Sequence, residues 1–238
     1  MKSPKISVCI PVHNAELWLA ESIESIIDQS FQDWEIVTFD DGSTDGSFDI
    51  YKHYKKILGE KYTPIQLRNA GQPYGIAVSR NYCIQKSLGQ IIVVQDADDI
   101  SHKDRLKKTW KYFQRHKKVD IVYGSYQYVN EFGQPMAEEP AKPFDEKKLL
   151  KENYIGHPTV AFRRNIGVNY RPECKVIDDW FFYLDCIKAG KKFGVINEVL
   201  TFYRVLHTSV SRSDERQEEV KKMKEKFLEE ANSCLVGK

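Results

Sequence analysis

The 238-residue sequence predicts an α/β fold: a Rossmann-like layer in which a mostly parallel central sheet carries helices on both faces. In the first half, short apolar runs alternate with amphipathic segments, the pattern of strands separated by helices. Such strands pair in parallel through right-handed crossovers, so helices cover both faces of the sheet. Polar residues cluster after each of the first four predicted strands, at the edge where ligands of such sheets bind. A single domain over 1–238 is expected, because no repeat, linker or low-complexity segment interrupts the chain.

The first predicted unit is a strand, a helix and a second strand. The apolar run at 5–12 suits a buried strand, and a second strand at 34–40 ends in the turn-rich stretch DGSTDGS. Between them, Asn14 is expected to cap a helix. The apolar residues of this helix fall on one face: Leu19, Ile23, Ile26 and Ile27.

Two more strands complete the predicted parallel part of the sheet. The third strand, at 64–69, follows a helix whose apolar side is formed by Phe48, Tyr51, Tyr54 and Leu58. The next helix spans 75–89 and is expected to end at Gly89, because glycine commonly follows the last turn of a helix. The fourth strand follows at 90–96.

The second half of the chain is less regular. It begins with a helix whose Leu106, Trp110 and Phe113 have core spacing. The elements predicted after it are a strand at 120–130, a hairpin turn at 131–135, a strand at 158–164, a helix at 178–190, an extended segment at 193–204 and a charged amphipathic helix at 213–238.

Composition and charge limit the classes of function. The chain is 41% hydrophobic and 29% charged with a net charge of +2, so no strong field indicates nucleic acid as a partner. No apolar run has the length of a signal peptide or of a membrane span, and a cytoplasmic protein is expected. The five cysteines, an odd number without a CxxC pair, are expected to be free thiols rather than disulfides or zinc ligands.

The stretch IIVVQDADDI at 91–100 carries the clearest chemical signal. It places Asp96, Asp98 and Asp99 directly after a buried strand, where like charges repel and burial disfavours ionisation. A divalent cation would remove this repulsion, and hard oxygen ligands suit Mg²⁺ or Mn²⁺ with a phosphorylated ligand completing the shell. The alternative is that these are loop aspartates, or that Asp99 and Asp104 stabilise the start of the next helix.

Several ordered motifs together resemble family 2 glycosyltransferases with the GT-A fold. They are the stretches at 7–47, 75–99, 177–190 and 201–212, within a resemblance that covers roughly residues 5–212. The resemblance implies transfer of a sugar from a nucleotide diphosphate donor, with inversion at the anomeric carbon. It also implies a nucleotide-sugar-binding half at 1–128 and a smaller acceptor-binding half at 129–212.

The resemblance assigns the donor site residue by residue. Asp41 matches the aspartate that accepts a hydrogen bond from the imide N–H of a uracil or thymine ring, a role that suits a pure acceptor. Gly75 and Arg80 match the stretch beneath the donor, where Arg80 offers charge to the diphosphate or pairs with a neighbouring carboxylate. The segment lining the base and the ribose is matched by Pro11, Val12 and Asn14.

The resemblance also implies the metal site and the catalytic base. Asp96 matches the aspartate near the ribose, and Asp98 the one that binds Mn²⁺ or Mg²⁺. His207 is expected as a further metal or diphosphate contact, although it lies three residues after its arginine rather than the family's two. Of the acidic pair Asp178 and Asp179, the second is expected to be the general base that takes the proton of the acceptor hydroxyl. Asp178 fits an ordinary helix N-cap.

Two alternatives to this function remain open on the sequence. A haloacid-dehalogenase-like phosphotransferase would use Asp96 as a covalent nucleophile, although that motif normally follows the first strand of such a chain. A nucleotide-sugar-binding protein without catalysis would lack a base, whereas Asp179 is present.

The resemblance further implies that the donor is a UDP-sugar and that the acceptor is a saccharide or a lipid-linked saccharide in surface polysaccharide synthesis. His157 is a candidate to line the acceptor pocket. The helix at 213–238 has nearly balanced charges, so we expect it to pack on its own domain or to form a homodimer contact. Peripheral contact with the inner face of the membrane is its alternative role.

Overall fold

A computed structural model describes residues 3–66, 71–174 and 177–206, with the single positions 221, 222 and 225. Its strands are β1 (Ile6–Val12), β2 (Trp34–Asp40), β3 (Tyr62–Gln66), β4 (Ile91–Val94), β5 (Ile100–Ser101), β6 (Ile121–Val129), β7 (Pro135–Glu139), β8 (Ala161–Arg163) and β9 (Phe193–Arg204). Its α-helices are α1 (Leu19–Ile27), α2 (Ser47–Leu58), α3 (Ile76–Lys86), α4 (Arg105–Arg115), α5 (Glu146–Leu149) and α6 (Asp178–Lys188).

The strands form one mixed sheet in the order β3-β2-β1-β4-β8-β6-β9-β5. Strand β7 pairs with β6 outside this order. The first four strands pair in parallel, as the alternation of strands and helices predicts. Beyond β4 the pairing changes, because β8 runs antiparallel to both β4 and β6. Strand β9 then lies parallel to β6, and β5 antiparallel to β9.

Helices cover both faces of the sheet, as predicted. Residues of β1 alternate between the two cores: Val8 and Ile10 pack with apolar residues of α1, α2 and α4, whereas Cys9 packs with those of α3 and α6. The central strands can be apolar on both faces because neither face meets water. The carboxyl edge of the sheet is therefore the place where these strands present polar groups.

Three local expectations were wrong. Asn14 does not cap α1, which begins at Leu19 and has Trp18 at its N-cap position. Helix α3 ends at Lys86, three residues before Gly89, and its C-cap Ser87 is extended. Phe48 is 38% exposed and lies under the ammonium group of Lys52 instead of joining the core.

The described cysteines Cys9, Cys83, Cys174 and Cys186 are buried free thiols, as expected. None of the helices among the described residues combines the length and the apolar composition of a membrane-spanning segment. The helix predicted at 213–238 falls outside them, apart from three isolated positions.

Candidate active site

The segment after β1 and the turn after β2 are joined by hydrogen bonds. The backbone N–H of Asn14 donates to Ser43 Oγ at 2.9 Å, and Asn14 Oδ1 accepts from the N–H of Thr44 at 2.8 Å. Asn14 has a left-handed backbone with φ of 51°, a conformation that asparagine tolerates better than most residues. The N–H of Asp41 donates to the carbonyl of Val12 at 2.8 Å, so the predicted base-lining residues adjoin Asp41.

The buried carboxylate of Asp41 holds the start of α3. Its oxygens accept from the backbone N–H groups of Tyr74 and Gly75, both at 2.7 Å. Gly75 has φ of 102°, which L-residues with a side chain rarely adopt, although a Cβ there would meet nothing within 4 Å. Backbone conformation therefore requires glycine at this position, and the protein leaves the space beside it open. A carboxylate has about four lone-pair sites, so Asp41 retains acceptor capacity for a ligand.

Arg80 joins the two acidic regions of the sequence. Its guanidinium pairs with Asp178 through Nη1 and with Asp96 through Nη2, the latter at 3.1 Å. The Tyr170 ring lies beneath the guanidinium at 5.4 Å. Burial opposes the charge of Arg80, but Asp178 and Asp96 hold its pKa above the ordinary value. Arg80 is thus engaged by carboxylates, and Asp178 is an ion-pair partner rather than an ordinary N-cap.

The turn after β4 concentrates negative charge. Burial, followed by the charge of Asp96, raises the pKa of Asp98 to about 6. Burial and the charges of Asp98 and Asp96 also raise the pKa of Asp99, one of whose buried oxygens has no hydrogen-bond partner among the described residues. No ion pair to the Asp98 carboxylate occurs within the described part of the chain. Burial, more than repulsion between the carboxylates, therefore disfavours ionisation in this turn.

Arg204, which the sequence analysis did not single out, fixes this turn against β9. Its N–H donates to Asp99 Oδ1 at 2.9 Å, and its Nε donates to the carbonyl of Asp98 at 2.8 Å. The guanidinium also donates to Glu21 Oε2 at 2.5 Å and to the carbonyl of Glu131 at 2.7 Å. The sequence did contain a signal for this role, because Arg204 is a charged residue at the end of the largely apolar strand β9. A buried arginine needs several hydrogen-bond acceptors around it.

Asp179 lies in the first turn of α6 beside the buried Asp178. Its oxygens accept from Asn153 Nδ2 at 2.8 Å and from the N–H of Trp180 at 2.7 Å. Burial and the charge of Asp178 raise the pKa of Asp179 to about 6, against the lowering effect of Arg80. A carboxylate with this pKa can both hold and release a proton near neutral pH. Asn153 lies in a loop, and no sequence pattern indicated its contact.

His157 lies behind this site and is 94% buried, so it does not line an open pocket as the sequence suggested. Its Nδ1 is 2.5 Å from the hydroxyl of Tyr183, and its Nε2 is 3.2 Å from that of Tyr170. Burial, followed by the charges of Arg80 and Arg105, lowers the pKa of His157. The neutral imidazole therefore links two tyrosines, one of which supports Arg80.

The donor groups fit a hard divalent cation in part. Asp96 and Asp98 could offer oxygen ligands, and a cation beside Asp98 would favour the ionised carboxylate that burial and Asp96 disfavour. Among the described residues, no group of three or more His, Cys, Asp or Glu side chains could hold a metal. The third predicted ligand, His207, lies outside the described residues.

The protein is a glycosyltransferase with the GT-A fold. The model described as Glycosyl transferase family 2 matches residues 7–168, more than half of the chain, so the chain belongs to this family. It is 30% identical over 213 residues to TuaG of Bacillus subtilis, a glycosyltransferase whose name assigns it to teichuronic acid biosynthesis; the match covers 87% of this chain and 82% of TuaG. Family membership argues against the phosphotransferase alternative. The ion pair of Asp96 with Arg80 also argues against it, because that alternative needs Asp96 as a nucleophile.

A second relative is much longer than this chain. The poly(ribitol-phosphate) beta-glucosyltransferase of Bacillus spizizenii is 30% identical over 222 residues, which are 84% of this chain but 32% of that protein.

Two solved structures share the fold. S. aureus TarS 1-349 in complex with UDP matches with a TM-score of 0.69 at 24% identity, covering 84% of this chain and 60% of the solved 1-349 chain. The Pyrobaculum calidifontis mannosyltransferase PcManGT, solved with GDP-Man and Mn²⁺, matches with a TM-score of 0.64 at 19% identity, covering 88% of this chain and 59% of PcManGT. The chain thus spans about 60% of the length of these two solved chains, and 37% of a longer solved TarS chain.

Proposed function

We propose that this protein is a metal-dependent inverting glycosyltransferase that moves a sugar from a UDP-sugar to a saccharide or lipid-linked saccharide in cell-surface polysaccharide synthesis. The observation that carries the proposal is the double ion pair of Arg80 with Asp96 and Asp178. Through it, the acidic turn expected on the donor side and the acidic pair expected on the acceptor side share one site. Sugar transfer requires the acidic turn and the acidic pair to lie within about the length of a single sugar of each other.

The relatives support the donor and the pathway. TuaG is named for teichuronic acid biosynthesis, the Bacillus spizizenii relative is named as a poly(ribitol-phosphate) beta-glucosyltransferase, and TarS was solved with UDP. The retained acceptor capacity of Asp41 supports binding of the imide N–H of uracil. The residues next to it, Pro11, Val12 and Asn14, would line the base and the ribose, and Gly75 would leave room for the donor to approach the backbone.

Asp98, with Asp96 beside it, would hold Mn²⁺ or Mg²⁺, and His207 remains a predicted third ligand. When bound, such an ion supplies positive charge for the departing nucleoside diphosphate. Arg80 orients the Asp96 carboxylate through their ion pair. On the opposite side of Arg80, Asp179 takes the proton of the acceptor hydroxyl as that oxygen attacks the anomeric carbon from the face opposite the diphosphate.

A thermal-shift panel of UDP-, GDP-, dTDP- and CDP-sugars, each with Mn²⁺, tests the donor and the metal. A ligand that binds only the folded protein stabilises it, by about 2.7 kcal/mol at a hundredfold excess over its Kd. We expect UDP-sugars to give the largest increase in Tm and a chelator to remove most of it. Asp98→Ala should lose the Mn²⁺-dependent part, whereas the exposed control Asp49→Ala should keep it.

The two parts of the proposal fail separately in this panel. Equal shifts with Mn²⁺ and with chelator would contradict the metal site at Asp98. A wild-type protein that none of the four nucleotide sugars stabilises would contradict the donor site altogether.

The pKa of Asp179 predicts the pH dependence of the reaction. A general base must be deprotonated, so kcat at saturating donor should rise as the pH increases through about 6. An unperturbed aspartate would place this rise near 3.8, because its carboxyl ionises at lower pH. Burial and the charge of Asp178 move the midpoint upward. A kcat that stays constant between pH 5 and 7, roughly one unit either side of this pKa, would contradict the role of Asp179.

The described residues do not bear on several further expectations. Peripheral membrane contact or a homodimer contact through 213–238, the cytoplasmic location, and the halves at 1–128 and 129–212 remain predictions. Comparing flotation of the full chain with liposomes against a chain ending at Arg212 tests the first of these.

A further inference from the structure

We infer that Tyr126, Tyr128 and Tyr203, here called the tyrosine cluster, form the surface on which the acceptor saccharide lies. This inference rests on the proposed function, because it assigns the acceptor part of that same site. Tyr203 lies within the motif stretch at 201–212, but neither it nor the other two tyrosines has been assigned a role. Their geometry and their connection to Asp179 support the assignment.

The three rings contact one another on one face of the sheet. Ring centroids are 5.1 Å apart for Tyr126 and Tyr128, 5.9 Å for Tyr126 and Tyr203, and 5.7 Å for Tyr128 and Tyr203. Tyr128 and Tyr203 are directly opposite each other in the pairing of β6 with β9. All three are half-buried, so the cluster retains surface for a ligand.

The sheet is irregular just before these rings. The register of β6 against β9 shifts between Gly124 and Ser125 and again between Ser125 and Tyr126. Such irregularities change the direction of the side chains that follow and occur often beside active sites. Here they separate the core residues at the start of β6 from the tyrosines at its end.

A short loop connects the cluster to the candidate base. A Cβ added at Gly156 would overlap the Tyr126 ring, so the backbone of this loop packs directly against the cluster. Three residues earlier in the same loop, Asn153 donates to Asp179. Three residues of chain span at most about 10 Å. The tyrosine cluster and Asp179 therefore lie within the reach of one short oligosaccharide.

The chemistry of the cluster suits a sugar ring. A pyranose has C–H groups that pack on aromatic faces and hydroxyls at its edge that need polar partners. The hydroxyls of Tyr126 and Tyr128 lie 3.2 Å apart, and each phenol can donate and accept. The cluster thus offers aromatic surface for the C–H groups and hydroxyls for the sugar edge, while Asp179 meets the reacting hydroxyl.

Saturation-transfer NMR with a panel of methyl hexopyranosides and methyl N-acetylhexosaminides tests the inference. We expect at least one glycoside to receive saturation from the wild-type protein. Tyr203→Ala and Tyr126→Ala should each raise its Kd by roughly tenfold, the loss of one aromatic contact. Phe132→Ala is the matched control, because Phe132 is 77% exposed at the tip of the hairpin between β6 and β7. This variant should bind the glycoside as the wild type does.

Tyr128→Phe removes the hydroxyl but keeps the aromatic ring, so it preserves both the stacking surface and the packing of the cluster. It should retain most of the binding, and Tm measured on every variant identifies any that is misfolded. UDP binding measured on the same samples separates this inference from the proposed function. UDP binding without any glycoside signal, or with signals that the tyrosine substitutions leave unchanged, overturns the assignment of the tyrosine cluster alone. If the wild-type protein does not bind UDP, the proposed function is overturned instead.

Discussion

Asp179→Asn is expected to lower kcat by about 10²–10⁴-fold, the usual contribution of a general base. The amide cannot take the proton of the acceptor hydroxyl, whereas its oxygen can still accept from the N–H of Trp180. The fold and donor binding should therefore persist. Loss of a carboxyl whose pKa is raised by burial should leave Tm unchanged or slightly higher. Initial rates of nucleotide release, with saturating donor and acceptor, measure the effect.

The matched control for this substitution is Glu152→Gln. Glu152 is an exposed neighbour of Asn153 that pairs with Lys148 at 3.3 Å, so its replacement removes a charge near Asp179 without touching it. We expect this variant to keep its activity. Turnover by Asp179→Asn within a factor of a few of the wild type would remove Asp179 from the role of base.

Arg80→Met is expected to lower the free energy of unfolding by about 3–5 kcal/mol, because breaking a buried ion pair leaves its carboxylates uncompensated. Arg80 is 93% buried and bridges Asp178 and Asp96. Methionine retains much of the volume, so the loss reports charge rather than a cavity. The deficit should shrink as the pH falls, since protonation of the stranded carboxyls removes the unpaired charge. Urea unfolding at several pH values measures it.

Activity should respond to the same substitution in a defined direction. The charge of Arg80 lowers the pKa of Asp179, so its removal should move the rise in kcat to a pH above 6. Arg171→Met serves as the control, because Arg171 pairs with Asp185 at 2.7 Å in a position where each side chain is 24% exposed. Solvent weakens that pair, so a smaller loss of stability is expected. Equal losses for the two variants, independent of pH, would contradict a special role for the Arg80 bridge.

The order of elements in the parallel half was predictable because apolar periodicity depends on local sequence. The apolar run KISVCIPV and the face formed by Leu19, Ile23 and Ile26 indicate a buried strand and its covering helix without any knowledge of their neighbours. Strands β5 and β7 are short and weakly patterned, and β5 was not predicted. The antiparallel insertion of β8 between β4 and β6 was also missed, since pairing partners are not encoded in periodicity.

The candidate site was predictable in its composition and less so in its contacts. The sequence motifs identify acidic side chains near a strand end, Asp96 and Asp98, and near a helix start, Asp179. Asn14 shows the limit of such inference, because its position before a helix predicted a cap. In the fold its side chain accepts from Thr44 across the site, 30 residues further along the chain.

By itself, the sequence determined that strands and helices alternate, that the sheet is parallel in its first half, and that acidic residues lie at its carboxyl edge. These properties follow from the spacing of apolar residues and from the residues that end each strand. Only the tertiary structure decided that Arg80 joins Asp96 to Asp178, which lies 98 residues away, and that Arg204 fixes the acidic turn. Contacts between distant residues depend on how crossovers and strand pairing bring elements together, and spacing along the chain does not contain that information.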